Sequence, residues 1–134
     1  MLSTFDENSR ITFHHDLEIM EVDFSEYNFS DSKDVNLVYD AIENLIAKTD
    51  RKWYFMVNYR ETRIDPDAWF QFAARGKDIN VASSLGSVRF DPREPTRAEI
   101  MKRAKSDDFN PNLVSTRDEA IERILVMKRE QVVT

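Results

Sequence analysis

The sequence predicts an α/β domain built on a mixed, mostly parallel sheet of about five strands with about four helices. Three observations carry this prediction. The run "KWYFMVNY" is apolar at successive positions, with Trp53, Phe55 and Val57 on one face and Tyr54 and Met56 on the other, the pattern of a central strand covered on both sides. Helical stripes alternate with short β-rich runs along the chain, which implies right-handed crossovers between parallel strands. The 134 residues are 41% hydrophobic and 33% charged, the balance of a globular domain with a real core. One domain over residues 10–130 is expected, with a frayed segment at 1–9 and a short tail at 131–134.

Taken in order, "RITFHHDLEIMEVDF" reads as a β-hairpin turning near His15 and Asp16. Ile11 and Phe13 alternate with Thr12 and His14, and Met20, Val22 and Phe24 alternate with Glu21 and Asp23. The first of these strands forms an antiparallel edge. "SEYNFSDSKD" reads as a polar loop, with Ser32 capping the helix that follows and Asp34 near the positive end of its dipole. That helix spans Lys33 to Lys48, with Val35, Val38, Ile42 and Leu45 on one stripe widened by Ala41 and Ile46. After the central strand, Asp65 caps a second helix and Pro66 takes its first position, where a missing N–H costs nothing. Trp69, Phe72, Ala73, Gly76 and Asn80 form its inward stripe, and Gly76 lets the backbone approach the sheet. "LGSVRFD" is a short strand. Pro92 and Pro95 break the chain, and Thr96 to Ser106 is a third helix with a basic outer face. Leu113 and Val114 mark the last strand. Thr116 and Glu119 form a capping box for a final helix running to about Glu130, with Ala120, Ile121, Ile124 and Leu125 inward. The order is β-β-α-β-α-β-α-β-α, with no internal repeat in the sequence.

From about Arg10 to Met127 this order resembles the STAS superfamily, the fold of the anti-sigma-factor antagonists, and more specifically its STAS-like branch of small bacterial proteins. "WYFMVNYRETRIDPDAW" is similar to the family's central strand, loop and second-helix start. "GSVRFD" is similar to the next strand, and "LVSTRDEAIERI" to the closing strand and last helix. The resemblance implies a regulatory domain that binds other proteins and does no catalysis. In regulatory members the loop carries Asp-Ser-Ser-Gly or Asp-Ser-Thr-Gly, and a partner kinase phosphorylates the second hydroxyl residue. The matching text here is "IDPDA". Asp65 matches the Asp, Pro66 replaces the first Ser, Asp67 stands at the acceptor and Ala68 replaces the Gly. The acceptor of the motif is therefore missing, and Thr62 has no motif support as a substitute. Asp67 reads first as an acid favoured by the helix dipole. The alternative is a permanent mimic of the phosphorylated residue, with roughly half the charge of a phosphate.

Arg60, Glu61, Arg63, Asp65 and Asp67 form the candidate interaction loop, because ligands of open α/β sheets bind beyond the carboxyl ends of the strands. A solvated charged loop is the competing reading. Trp69 and Phe70 cannot both point inward from one helix, so one of them lines a groove or a dimer contact. Arg89, Arg93, Arg97, Lys102, Arg103 and Lys105 make a secondary basic patch. His14 and His15, the two histidines of the chain, fall on opposite strand faces, so no metal site is expected. The chain has no cysteine, and its two glycines, Gly76 and Gly86, cannot build a phosphate-cradling loop. No nucleophile–base spacing or carboxylate pair suggests an enzyme, and no cofactor is expected. A net charge of −6 argues against broad nucleic-acid binding. No run approaches the ~20 apolar residues that span a bilayer. "MLSTFDENSR" lacks the regions of a signal peptide, so a cytoplasmic location is expected. The expected partner is another protein or a second copy of the chain. The alternative is a carrier whose second helix lines a pocket for a small apolar ligand or lipid.

Overall fold

The structure, a computed structural model, describes residues 5–92 and 113–133. Its strands are β1 (Ile11–His14), β2 (Ile19–Asp23), β3 (Asn28–Phe29), β4 (Trp53–Asn58), β5 (Arg63–Ile64), β6 (Ser84–Phe90) and β7 (Leu113–Val114). Its helices are α1 (Glu7–Arg10), α2 (Ser32–Ala47), α3 (Pro66–Ser83) and α4 (Arg117–Val133). Five strands form the main sheet in the order β1-β2-β4-β6-β7, with β1 antiparallel to β2 and the other pairs parallel. The fold is thus α/β with a mixed, mostly parallel sheet. The third helix expected over Thr96 to Ser106 lies outside the described residues.

Each strand of this sheet after β2 is added on the same side of its predecessor in the sheet, so the crossovers place α2 and α3 on one face. There Met20, Val22, Trp53, Phe55 and Val57 meet Val35, Val38, Tyr39 and Ile42 of α2 and Ala68, Phe72 and Ile79 of α3. On the opposite face Ile19, Tyr54, Met56, Val88 and Phe90 meet Ala120 and Ile124 of α4. The alternation along β4 therefore falls as its sequence requires: odd residues enter one core and even residues the other.

Several expectations are corrected. Within the segment expected to fray, Phe5 packs on Phe24 and Tyr27 at ring-centroid distances of 6.1 and 5.7 Å, and Asp6 caps α1. The cap of α2 is Asp31, not Ser32; its Oδ1 accepts from the Asp34 N–H at 2.9 Å. "SEYNFSDSKD" is not a plain polar loop, because Tyr27 and Phe29 are buried. In α3 the buried stripe is Ala68, Phe72, Gly76 and Ile79, which turns Trp69 and Asn80 to its margin. Asp65 occupies the N-cap position without a side-chain cap, and Ala68 N–H instead donates to the Asp65 carbonyl at 2.8 Å. In α4 Leu125 is 40% exposed, and Met127 packs in its place beside Ile121. Thr116 Oγ1 does accept from Glu119 N–H at 3.1 Å, as the capping box requires.

Charged side chains clamp α4 across the sheet. Arg117 reaches Glu21 of β2 through two bonds of 2.8 and 2.9 Å, and His14 Nε2 lies 2.8 Å from the same carboxylate. Lys128 bonds the Leu17 carbonyl at 3.1 Å and the Glu18 carboxylate at 3.2 Å. The hydrogen bonds from Arg117, and then the contact with His14, hold the Glu21 carboxyl below its ordinary value against the opposing effect of burial. A carboxyl depressed in the folded state stabilises the fold above its unfolded value of 4.5, and this stabilisation is lost as pH falls through the lower folded value. Urea midpoints measured across that range for the natural protein and for Glu21→Gln should converge on acidification. A constant gap between them would show that the clamp does not titrate.

Candidate functional site

The carboxyl ends of β2 and β4, which are neighbours in the sheet, are built alike. Asp23 and Asn58 face each other in register. Each side chain accepts from the backbone N–H two residues on, Asp23 Oδ1 from Ser25 at 2.8 Å and Asn58 Oδ1 from Arg60 at 2.9 Å. These are the short Asp and Asn turns that such side chains favour. Each turn then closes through a backbone bond, Tyr27 N–H to the Phe24 carbonyl at 3.1 Å and Thr62 N–H to the Tyr59 carbonyl at 3.0 Å. Each places a glutamate in the left-handed region, Glu26 at φ 58° and Glu61 at φ 56°. Left-handed backbone costs a residue with a Cβ roughly 1–2 kcal/mol, so both turns depend on the bonds around them.

The two turns are zipped together. Phe24 N–H donates to the Asn58 carbonyl, Glu26 N–H to Arg60, Arg63 N–H to Tyr27 and Asp65 N–H to Phe29, all at 2.9 Å. The parallel pair β3–β5 continues this ladder, with Asn28 opposite Arg63 and Phe29 opposite Ile64. Register then carries on into the helices. Ser32 Oγ bonds the Asp67 carbonyl at 3.4 Å, Gln71 and Arg75 both bond Asn36, and Arg75 pairs with Asp40 at 2.9 Å. "DFSEYNF" and "NYRETRI" share almost no residues yet form one geometry twice, a repetition that sequence comparison of the two segments misses.

The charged knot after the central strand is therefore a held crest. Arg60 pairs with Glu61 at 3.3 Å and with Glu26 at 3.5 Å, and its side chain remains 40% exposed. Exposed pairs of this length add little stability. Arg63 is exposed, and its side chain makes no hydrogen bond or ion pair with a described residue. Asp67 is exposed in the first turn of α3, beside Pro66. Thr62 is buried and donates its hydroxyl to the Phe24 carbonyl at 2.7 Å, so it is not an accessible acceptor for modification. Glu26 is the crest residue that the sequence reading missed, because its place opposite Glu61 follows from strand pairing alone.

Trp69 and Phe70 separate as expected. Trp69 stacks on Phe72 at 5.9 Å and is half-buried against the core. Phe70 is 82% exposed on the outer face of α3, with Val81 three turns along at 75% and Leu37 of α2 at 66%. Beneath α3, between sheet and helices, lies a cavity of about 30 Å³. It accommodates one or two water molecules and is far smaller than an acyl chain.

Arg89 does not join an exposed basic patch. β6 sends Val88 and Phe90 to the α4 side and turns Arg89 under α2 and α3, where it is 8% exposed and donates from Nε to the Tyr59 hydroxyl at 3.3 Å. Arg93, Arg97, Lys102, Arg103 and Lys105 lie outside the described residues. His14 turns to Glu21, while His15 meets the Trp53 ring edge-on at 5.2 Å. Among the described residues no group of three His, Cys, Asp or Glu side chains converges for a metal, and no helix is long and apolar enough to cross a membrane. Comparison of the chain with protein-family models, with curated proteins and with solved structures found no match.

Proposed function

We propose that this is a STAS-like protein-interaction domain that works without catalysis and without the usual phosphoacceptor. Its binding face comprises the crest of Arg60, Glu61 and Arg63, the start of α3 at Asp65 and Asp67, and the outward Phe70. The observation that carries this reading is Phe70, an aromatic ring 82% exposed near the start of the helix that follows a crest held by a backbone ladder. Exposed aromatic and arginine side chains dominate binding energy where two proteins meet. A crest already fixed in place loses little conformational freedom on binding. Asp67 occupies the position matching the family's acceptor, so any signal sent through this face is constant rather than switched by phosphate.

The small cavity favours this reading over a carrier of apolar ligands, since the space inside α3 suits water and not a lipid. The test is affinity capture from the native cell with the natural protein and with Arg60→Ala combined with Arg63→Ala. The double variant should keep its melting temperature to within a few degrees, because both side chains are exposed or weakly paired. It should lose the captured protein. Retention of the same protein at the same yield would place the binding face elsewhere.

A further inference from the structure

We propose that the cavity beneath α3 is a resident water site, in which one or two buried waters bond the Tyr39 hydroxyl and link α2 to the polar side chains of the sheet. Tyr39 is 5% exposed and lines the cavity together with Tyr59, Gly76, Asn80, Ser87 and Arg89. Its hydroxyl makes no hydrogen bond to any described residue, although each polar neighbour has one. Arg89 Nε donates to Tyr59, Ser87 Oγ donates to Asn80 Oδ1, and Asn80 Nδ2 donates to the Gly76 carbonyl at 2.7 Å. A hydroxyl that lines a water-sized space without a protein partner is satisfied by water. A water molecule needs about 10–15 Å³ of such space and two to four polar neighbours. The cavity of about 30 Å³ provides the room, and this lining provides the neighbours.

Two further features agree. Burial first, and then the nearby Tyr59 hydroxyl, raise the Tyr39 phenol above its ordinary value, so it stays a protonated donor at all physiological pH. Gly76 borders the same hydroxyl, since a Cβ there would stand 3.4 Å from the Tyr39 oxygen, in van der Waals contact. The site also touches the crest. Tyr59, which accepts from Arg89, opens the turn that carries Arg60.

A high-resolution crystal structure of the full chain tests this directly. It should show ordered water about 2.6–3.2 Å from the Tyr39 hydroxyl and bonded to at least one of Tyr59, Asn80, Ser87 or Arg89. In Tyr39→Phe that water should be gone with the fold unchanged. Oxygen-17 relaxation dispersion in solution should count at least one fewer long-lived internal water in the same variant. A dry cavity, a protein atom bonded directly to the Tyr39 hydroxyl, or an unchanged water count would each overturn the proposal.

Discussion

Phe29→Ala should lower the unfolding free energy by about 3–5 kcal/mol, the cost of emptying a buried phenylalanine site. Nothing about its neighbours in the sequence announces this, since Phe29 sits between Asn28 and Ser30. In the structure it is 0% exposed and its ring meets Tyr27 at 4.8 Å and both Phe24 and Phe72 at 5.1 Å, each edge to face. Edge-to-face pairs add about 0.5–1.5 kcal/mol beyond buried area, so loss of this ring removes three such contacts at once. Phe29 is also half of the β3–β5 pair, and its carbonyl accepts from Asp65 at the start of α3. Amide exchange at Arg63 and Asp65 should therefore quicken more than at β4. A loss under about 1 kcal/mol in urea melts would show that the crest is not anchored through this ring.

Ile124→Ala should cost about 2–5 kcal/mol and loosen α4 before the rest of the domain. The inward face of α4 is thin. Among its described side chains Ala120 and Ile124 are fully buried, while Ile121 and Met127 are only partly covered. Ile124 is thus the largest fully buried side chain among the described ones of α4, in the cluster with Tyr54, Met56, Val88 and Phe90. The clamps from Arg117 and Lys128 set where α4 lies, but such partly exposed pairs contribute modestly. Hydrogen exchange should show α4 amides opening at a lower free energy than β4 amides in the variant. Simultaneous opening of both would mean that α4 and the sheet unfold as one unit.

The sheet and its two cores were legible because β4 carries opposite residues to opposite faces, a period that no helix shares. Strand and helix identities followed from the same logic over Val35 to Ile46 and around Leu113. What could not be read depends on partners far along the chain. Ser30, Asp31 and Ser32 are all adequate caps, and the position of the first turn of α2 selects Asp31. Tyr27 and Phe29 look like isolated apolar residues in a polar run until the segment is laid beside "NYRETRI". The inward face of α3 was misplaced by a fraction of a turn, because apolar residues lie on both its inner and outer sides and Phe70 and Val81 compete with the core stripe. Arg89 is the clearest lesson. A charge between Val88 and Phe90 looks exposed by type, yet a strand with helices on both faces has no solvent side to offer it.

Of the candidate site, the location beyond the central strand was legible and its architecture was not. Arg60, Glu61 and Arg63 were found from their position, whereas Glu26 enters only through the ladder between the two turns. The separation of Trp69 from Phe70 followed from helix geometry, and the structure decides which one faces outward.

The proposed binding face joins the Arg60 crest to Phe70. A photo-crosslinking phenylalanine analogue placed at Phe70, with Leu125 on α4 as an exposed control, tests it most directly in the native cell. Position 70 should give one discrete adduct and position 125 none, and that adduct should be lost when Arg60 and Arg63 are replaced by alanine. An adduct of twice the 15.8 kDa chain mass would identify the partner as a second copy. Equal labelling from both positions, or no adduct from position 70, would show that this face does not meet a partner.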